Sequence, residues 1–433
     1  MIHLKQWLLT LRNSIWFTPG LYSFIAILLS FSITYMEVTN PEFFSSYLPD
    51  ILLTETELAS TILGSLTTAL LTMTTITFST IMVVLTTYSS QFSPRTLQNF
   101  IHDKITIKVL AIFIASFVYA VTSLAFMQEE NVEGLLLSGT FGVFLSIICV
   151  GFFVYFIHHV AASIHVQQLI KGISTQATAI IEQVNQSDGV SLNKETLIQR
   201  KAHYSHQVHV SPPRSGYVQH VDFSKLKSTL KEKDALIEFD KQIGDFVTEF
   251  DCFYTLYSKE EINESIKEVI QEALTIGDER TTLQDLEFSI QQLVEITLRA
   301  ISSGINDPHT AIACINELGR TIGHIAKANT QNNHHLDDDQ ILRVIIHYPR
   351  DFEDTLYTAF YQIRIHGKND ISVIGACLDA LTTIALATEE DEHHETLIEF
   401  AYYLLSATDF ESLHHFDQRY LTDKVNALKE HCE

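Results

Sequence analysis

The chain has 433 residues with 28 Lys and Arg against 52 Asp and Glu, a formal net charge of -24 at neutral pH. That length allows more than one domain, and the acidic balance, carried mainly after residue 160, argues against a nucleic-acid partner. Five cysteines (Cys149, Cys252, Cys314, Cys377 and Cys432) show no paired spacing, which excludes a disulfide framework or zinc-finger pattern and points to a reducing compartment.

In chain order, residues 1–15 place Trp7, Leu8, Leu11 and Ile15 on one face with Lys5 and Arg12 elsewhere, as an interfacial amphipathic helix would. Four apolar runs follow within a membrane domain expected over 16–160: Trp16 to Met36, Leu58 onward, Ile107 to Met127 and Leu135 to Ile157. Each offers the roughly 20 residues that a membrane span requires. No small-residue cleavage site follows the first run, so it reads as a span and not a signal peptide. The loops at 37–58 and 128–134 carry only acidic charge, Glu37, Glu42, Asp50, Glu55 and Glu57 in the first. The N-terminus and the 91–108 loop carry Lys and Arg, so the positive-inside rule predicts cytoplasmic N- and C-termini.

The second run is the unusual one. Thr61, Ser65, Thr68, Thr72, Thr75, Ser79, Met82, Thr86 and Ser89 alternate spacings of four and three, one stripe along a helix. Small uncharged hydroxyls suit a water-filled lining that must not trap ions. They equally suit a tight helix-packing seam. The pore reading names Thr61, Ser65, Thr68, Thr72, Thr75, Ser79 and Thr86 as lining residues. Where this helix leaves the membrane, Pro94 stops or kinks it, and Arg95 reaches the headgroups as anchor or hinge.

Helical spacing through Ile157, Val160, Ile164, Gln168 and Ile173 predicts that the fourth span continues as a helix within an extension and linker at 161–202. A small β-module is expected over 203–257, with SGYVQHVD as one strand and IGDFVTEFDCFYTL as two. These segments look like half-motifs of a lipoyl or biotinyl barrel-sandwich, but no lysine sits in the turn that would carry the group. From 258 to 433 the pattern predicts helices at 260–276, 282–302, 308–328, 350–366, 370–388, 394–407 and 409–430, with polar loops at 329–339 and 388–394.

Two corners in this helical part draw notice. In SSGINDPHTAI, Gly304 suits a left-handed position, Asp307 an N-cap and Pro308 the first helical turn. In ERTTLQD, Thr282 suits a cap with Asp285 three residues on, leaving Arg280 to pair with an acid. Arg280, Asp285, Asn306 and Asp307 together form a candidate cytoplasmic corner; the simpler reading is helix-to-helix turns, and a ligand or cation site is the functional one. Four His-His pairs occur, at 158–159, 334–335, 393–394 and 414–415, but adjacent histidines diverge on a helix and seldom chelate. No nucleophile–base arrangement, phosphate loop or metalloprotease motif is visible, so neither an enzyme nor a cofactor is expected.

Several stretches resemble one family. SSQFSPRTLQNFIHDK (89–104), FVYFIHHVAASI (153–164), SGYV (215–218), ERTTLQDLEFSIQQLVEITLRAISSGINDPHTAI (279–312) and YPRDFEDTLYTAFYQIRIHG (348–367) are similar, in order, to bacterial predicted membrane proteins of domain of unknown function 2254. The resemblance implies a bacterial plasma-membrane protein and carries no activity with it. One departure is A-I-S-S-G-I-N-D-P where the family usually has A-L-S-P-G, which removes a stiffening proline.

The sequence therefore predicts a mainly α membrane protein: four transmembrane helices, then a cytoplasmic domain with a small β-module and an α-helical part. The leading expectation is a homo-oligomeric ion channel in the bacterial inner membrane, lined by the second span and weakly cation-preferring because of its acidic outer loops. Its partners would be the bilayer, further copies of itself and permeant ions. The alternatives are a membrane-anchored scaffold or sensor whose cytoplasmic domain recognises a partner or ligand, and an enzyme using the 280–307 corner.

Overall fold

The computed structural model describes residues 16–40, 42–96, 103–127, 135–163, 165–186, 189–190, 194–261, 264–328, 334–336, 341–346 and 351–432. The interfacial helix expected over 1–15, the 128–134 loop and Ile164 lie outside them. The chain divides into two compact units, residues 1–165 and 166–433.

Among the described residues, the first unit contains four helices long and apolar enough to cross a membrane. They are α1 (Phe17–Thr39), α3 (Thr56–Thr87), α4 (Lys104–Phe126) and α5 (Ser138–Ser163), with a short α2 (Glu42–Tyr47) after the first. Helix α4 packs against each of the other three long helices. A two-residue antiparallel pair, β1 (Thr54–Glu55) with β2 (Leu135–Leu136), ties the start of α3 to the start of α5. There the backbones come close. A Cβ on Gly139 would sit 2.7 Å from Thr54 Oγ1 and 3.0 Å from Ala59 Cα, and one on Gly142 would sit 2.8 Å from Leu63 Cδ2. Small residues at such crossings let membrane helices pack where lipid supplies no hydrophobic drive.

The second unit begins with α6 (Val166–Gln186), so the helix expected to run on unbroken from the fourth span ends at Ser163, and a new one starts at Val166. Next come β3 (Gly189–Val190), α7 (Lys194–Lys201), β4 (His206–Val210), β5 (Gly216–Val221), α8 (Phe223–Glu232), β6 (Ala235–Phe239), β7 (Phe246–Val247) and β8 (Tyr254–Ser258). After α9 (Glu264–Gln271) and β9 (Leu274–Gly277) come α10 (Leu286–Ala300) and α11 (Pro308–Lys327). Then β10 (His334–Leu336) and β11 (Leu342–Ile346) precede α12 (Phe352–Gly367), α13 (Ile371–Ala385), α14 (Asp391–Leu405) and α15 (His415–Cys432).

The strands do not form a module confined to 203–257. A six-stranded sheet has the order β3-β10-β11-β6-β8-β4, and a three-stranded one the order β7-β5-β9. Strand β11 pairs parallel to β6, more than a hundred residues earlier, Val344 opposite Ile237. The 203–257 stretch also holds helix α8 on Asp222, whose side chain accepts from the Lys225 amide. The segment expected as one helix at 260–276 divides into α9 and β9, where Thr275 and Ile276 join the edge of β5. SGYV and GDFV do pair with each other, Gly216 opposite Val247. The parallel pairing and the inserted helix separate the whole from a barrel-sandwich. Between the sheets lies an apolar core including Val218, Leu226, Ile237, Val247, Phe253, Leu256 and Ile270.

The remaining helices form an α layer in which α6 packs on α10 and α11. Ser174 of α6 bonds Thr321 of α11 at 2.9 Å in a buried position. Helices α11 and α13 cross closely where Gly319 lies against Ala380, a Cβ there falling 2.9 Å from the Ala380 Cα.

Candidate functional site

Helix α3 has two contrasting faces. Ala59, Leu63, Leu70, Thr77 and Val84 are buried against the bundle. The hydroxyl stripe lies opposite: Thr61, Ser65, Thr68, Thr72, Thr75, Ser79, Met82, Thr86 and Ser89 are all exposed on the outside of the chain's own bundle. The stripe is therefore not a seam within one chain. Its hydroxyls donate back to the carbonyl one turn earlier, Thr61 to Glu57, Ser65 to Thr61, Thr72 to Thr68 and Thr75 to Leu71, each at 2.9 Å. Such back-bonding satisfies the donors and leaves oxygen lone pairs facing outward.

At its far end α3 loosens into a π turn, Tyr88–Phe92, then a 3₁₀ turn, Pro94–Thr96. Pro94 and Arg95 are both exposed, and the Arg95 amide donates to Ser93 Oγ at 3.1 Å. Tyr88 is buried and donates its hydroxyl to the Ser163 carbonyl at 2.6 Å. Beside it, Asp103 caps α4 by accepting from the Thr106 amide at 2.9 Å and hydroxyl at 2.7 Å, and meets His159 Nε2 at 2.8 Å. Burial pushes the Asp103 carboxyl up, but the bonds from Thr106 and His159 together outweigh it and hold it below the usual carboxylate range. His159, one of the adjacent histidine pairs of the sequence, is thus tied to a helix cap.

The sequence reading missed Glu37. Assigned there to an acidic outer loop, it ends α1 with only 4% of its surface exposed. Its Oε1 accepts from the Leu137 and Ser138 amides at 2.8 Å each, capping α5 from a different helix. Ser30 and Thr34 precede it on the same face of α1 and are also buried, Ser30 bonding Ser123 of α4 at 2.8 Å. The signal was the spacing 30, 34, 37, read too short because the span was ended at Met36.

In the second unit the four corner residues fall at two places. Arg280 grips Asp285 through two bonds of 2.7 Å, Nε to Oδ2 and Nη2 to Oδ1. Asp285, not Thr282, caps α10, accepting from the Phe288 amide at 2.9 Å. Asn306 and Asp307 lie beyond the other end of that 15-residue helix, about 22 Å away at the α-helical rise. The left-handed residue there is Asn306, with φ 52°, and not Gly304. Asp307 caps α11, its carboxylate taking the Thr310 amide at 3.1 Å and hydroxyl at 2.6 Å, with Pro308 in the first turn. These bonds hold the Asp307 carboxyl below its ordinary range.

The Asn306 corner has a counterpart. G-I-N-D (304–307) is matched by G-K-N-D (367–370), where Asp370 caps α13 by accepting from the Ser372 amide at 2.9 Å and the Val373 amide at 3.3 Å. The two corners border one cleft of about 850 Å³, lined by Ser302, Ser303, Asn306, His366, Asn369 and Ser372 among others. Among the described residues no group of three or more His, Cys, Asp and Glu is arranged to hold a metal ion.

A family model described as predicted membrane protein (DUF2254) matches residues 12–383. Uncharacterised proteins of Mycobacterium bovis and of Mycobacterium tuberculosis strain H37Rv are each 28% identical over 321 residues, 72% of this chain and 60% of theirs. The chain thus spans less than two thirds of the length of these relatives. No solved structure matches it. With four apolar helices of spanning length and a family match over most of its residues, the chain belongs to the DUF2254 family of predicted membrane proteins.

Proposed function

We propose that the chain forms a homo-oligomeric ion channel in the bacterial inner membrane, with α3 of each copy facing a shared central pathway. One observation carries this reading: the hydroxyl stripe lies exposed opposite the buried face of α3, so packing within the chain does not account for it. Thr68, Thr72, Thr75 and Ser79 line the middle of the pathway, Thr61 and Ser65 one mouth, and Thr86 the other, beside the Pro94–Arg95 turn. With both termini cytoplasmic, the exposed Glu55 and Glu57 at the opposite end of α3 raise cation concentration at the outer mouth.

The test is thiol accessibility. Single cysteines from position 61 to 86, on a background without Cys149, are labelled with a small membrane-impermeant reagent. Labelling at 65, 68, 72, 75 and 79 that spares 63, 70 and 77 supports the pathway. A middle of the helix unlabelled on every face opposes it and assigns the hydroxyls to dry contact with lipid or another copy. Thr72→Leu or Thr75→Leu is expected to stop ion flux in proteoliposomes by dewetting while the oligomer persists on size exclusion. Undiminished flux refutes the lining assignment.

The cleft between the two G-x-N-D corners favours a second reading, a sensor role for the C-terminal unit. Asp307 and Asp370 spend their carboxylates on their own helix caps, so the cleft offers amides, hydroxyls and one imidazole and suits a small neutral hydrogen-bonding ligand. A panel of sugars, polyols and amides that stabilises the wild type but not Asn369→Ala against thermal unfolding supports this reading. Equal response of the two proteins removes it.

A further inference from the structure

Glu37 holds its carboxylate inside the membrane unit in two unlike environments. Oε1 is fully used, accepting the Leu137 and Ser138 amides. Oε2 is buried without a hydrogen-bond partner. Two hydroxyl oxygens nearby are in the same condition: Thr34 Oγ1, one turn earlier on the same face of α1, and Ser138 Oγ, on the residue whose amide reaches Oε1. The surrounding hydroxyls are committed elsewhere, Tyr119 to the Ser138 carbonyl at 3.1 Å and Ser30 with Ser123 at 2.8 Å.

An ionised carboxylate only accepts, so a buried Oε2 with no donor bears the full cost of lost water. A proton on that oxygen changes its role. It becomes a donor, and the Thr34 and Ser138 hydroxyls, neither of which bonds it as they stand, can each turn to accept from it, as they can turn to donate to the ionised form. Oε1 meanwhile keeps its two amide bonds, so the cap on α5 survives in both states. Ionisable groups placed within a span are costly to keep there and recur at proton and ion pathways.

We propose that Glu37 is a proton-binding site of the membrane unit, taking up and releasing H⁺ at Oε2 while Oε1 holds the start of α5. The other titratable groups on the elements packed here leave it this role. Tyr119 on α4 is bonded to Ser138, and Cys149 on α5 donates to Ser116 Oγ at 3.2 Å. Tyr35 on α1, Tyr155 on α5, and Glu55 and Glu57 at the start of α3 are exposed. Lys108, His158 and His159 sit toward the opposite ends of α4 and α5, about 16 Å or more along the helix axes from Tyr119 and Ser138. The competing account is a permanently ionised cap for α5, which needs only Oε1. The assignment does not depend on the role of α3.

Infrared difference spectroscopy on the reconstituted full chain separates the two. Lowering the pH from about 9 to about 5, across the range that separates ordinary carboxylates from strongly raised ones, is expected to bring up a protonated-carboxyl C=O band. Glu37→Gln should lack it, and Thr34→Val or Ser138→Ala should shift it by removing an acceptor. Wild-type and Glu37→Gln spectra that superimpose overturn the proposal. Should Glu37→Gln fail to fold, the two acceptor variants decide, since a band unmoved in both belongs to another group.

Discussion

Asp285→Ala tests how the second unit is held together at the start of α10. The carboxylate is 2% exposed and the Arg280 side chain 15%. Removing one partner from a pair this buried costs about 3–5 kcal/mol, because the other charge is left without a counter-ion. Loss of the N-cap to Phe288 adds about 1 kcal/mol. Arg280 keeps its bond to Gln291 at 3.0 Å and its position over the Phe288 ring at 5.3 Å, which places the expected total near the lower end, about 4 kcal/mol. Asp285→Asn keeps one acceptor oxygen, at the Oδ1 place shared by the Phe288 amide and Arg280 Nη2, and loses the one that takes Arg280 Nε, so about half that loss is expected. Pulse proteolysis of the purified full chain in detergent, read on fragments of the C-terminal unit, measures both. An Asp285→Ala protein within about 1 kcal/mol of wild type would refute the reasoning, and so would an Asn variant as damaged as the Ala one.

Gly244→Ala should destabilise the same unit by about 2–3 kcal/mol in that assay: its φ is +92°, and the new Cβ would fall 2.3 Å from Asp285 Oδ2 and 2.7 Å from Arg280 Nη2. Asn306→Gly should stay within about 1 kcal/mol of wild type, whereas Asn306→Val should lose about 1–2 kcal/mol, since φ 52° is closed to a β-branched residue; equal effects would show that the backbone conformation is not what selects Asn. Asp103→Asn should matter most near neutral pH. The folded carboxyl is held below its usual range, so its stabilisation is present above the unfolded value of about 4 and is lost as pH falls through the lower folded value. Thermal unfolding should therefore show a gap between wild type and Asp103→Asn that closes in acid, and a gap independent of pH would contradict the assignment.

What could be read from sequence followed the range of the interactions. The spans were legible because hydropathy is local, and the Asp307–Pro308 start of α11 because capping is local too. Competition among local candidates was harder. Gly304 and Thr282 had the stronger residue preferences, but Asn306 takes the left-handed position and Asp285 the cap, the latter because Arg280 and the Gly244 turn close over it. Strands β10 and β11 were not legible, since Leu342–Ile346 becomes a strand by pairing with Ala235–Phe239 across an intervening hundred residues. Glu37 was hidden for a different reason. An acid at the end of an apolar run reads as the first loop residue, and only the start of α5, a hundred residues on, supplies the amides that let it stay inside.

The two faces of α3 bear on what surrounds it. On the inner face Leu63, Leu70, Thr77 and Val84 recur every seven residues, the period of a helix packed lengthwise against helices. On the outer face Thr61, Thr68, Thr75, Met82 and Ser89 recur at seven, and Ser65, Thr72, Ser79 and Thr86 do so again. Lipid imposes no period on a helix surface, and a straight α-helix drifts by about 20° per heptad against such a pattern. A sustained heptad on the outward face therefore argues for a second set of helical neighbours, and further copies of the same helix fit that requirement. Residue size then bears on how closely they approach. A dry contact selects small side chains for proximity, Ala and Gly as readily as Ser and Thr, and gains from hydroxyls only where they bond across the seam. Apart from Met82 the stripe uses Thr and Ser at every position, and at least four of these hydroxyls already donate to their own helix, so what they offer a facing surface is acceptor oxygens, which either water or a donor on a neighbouring helix can use.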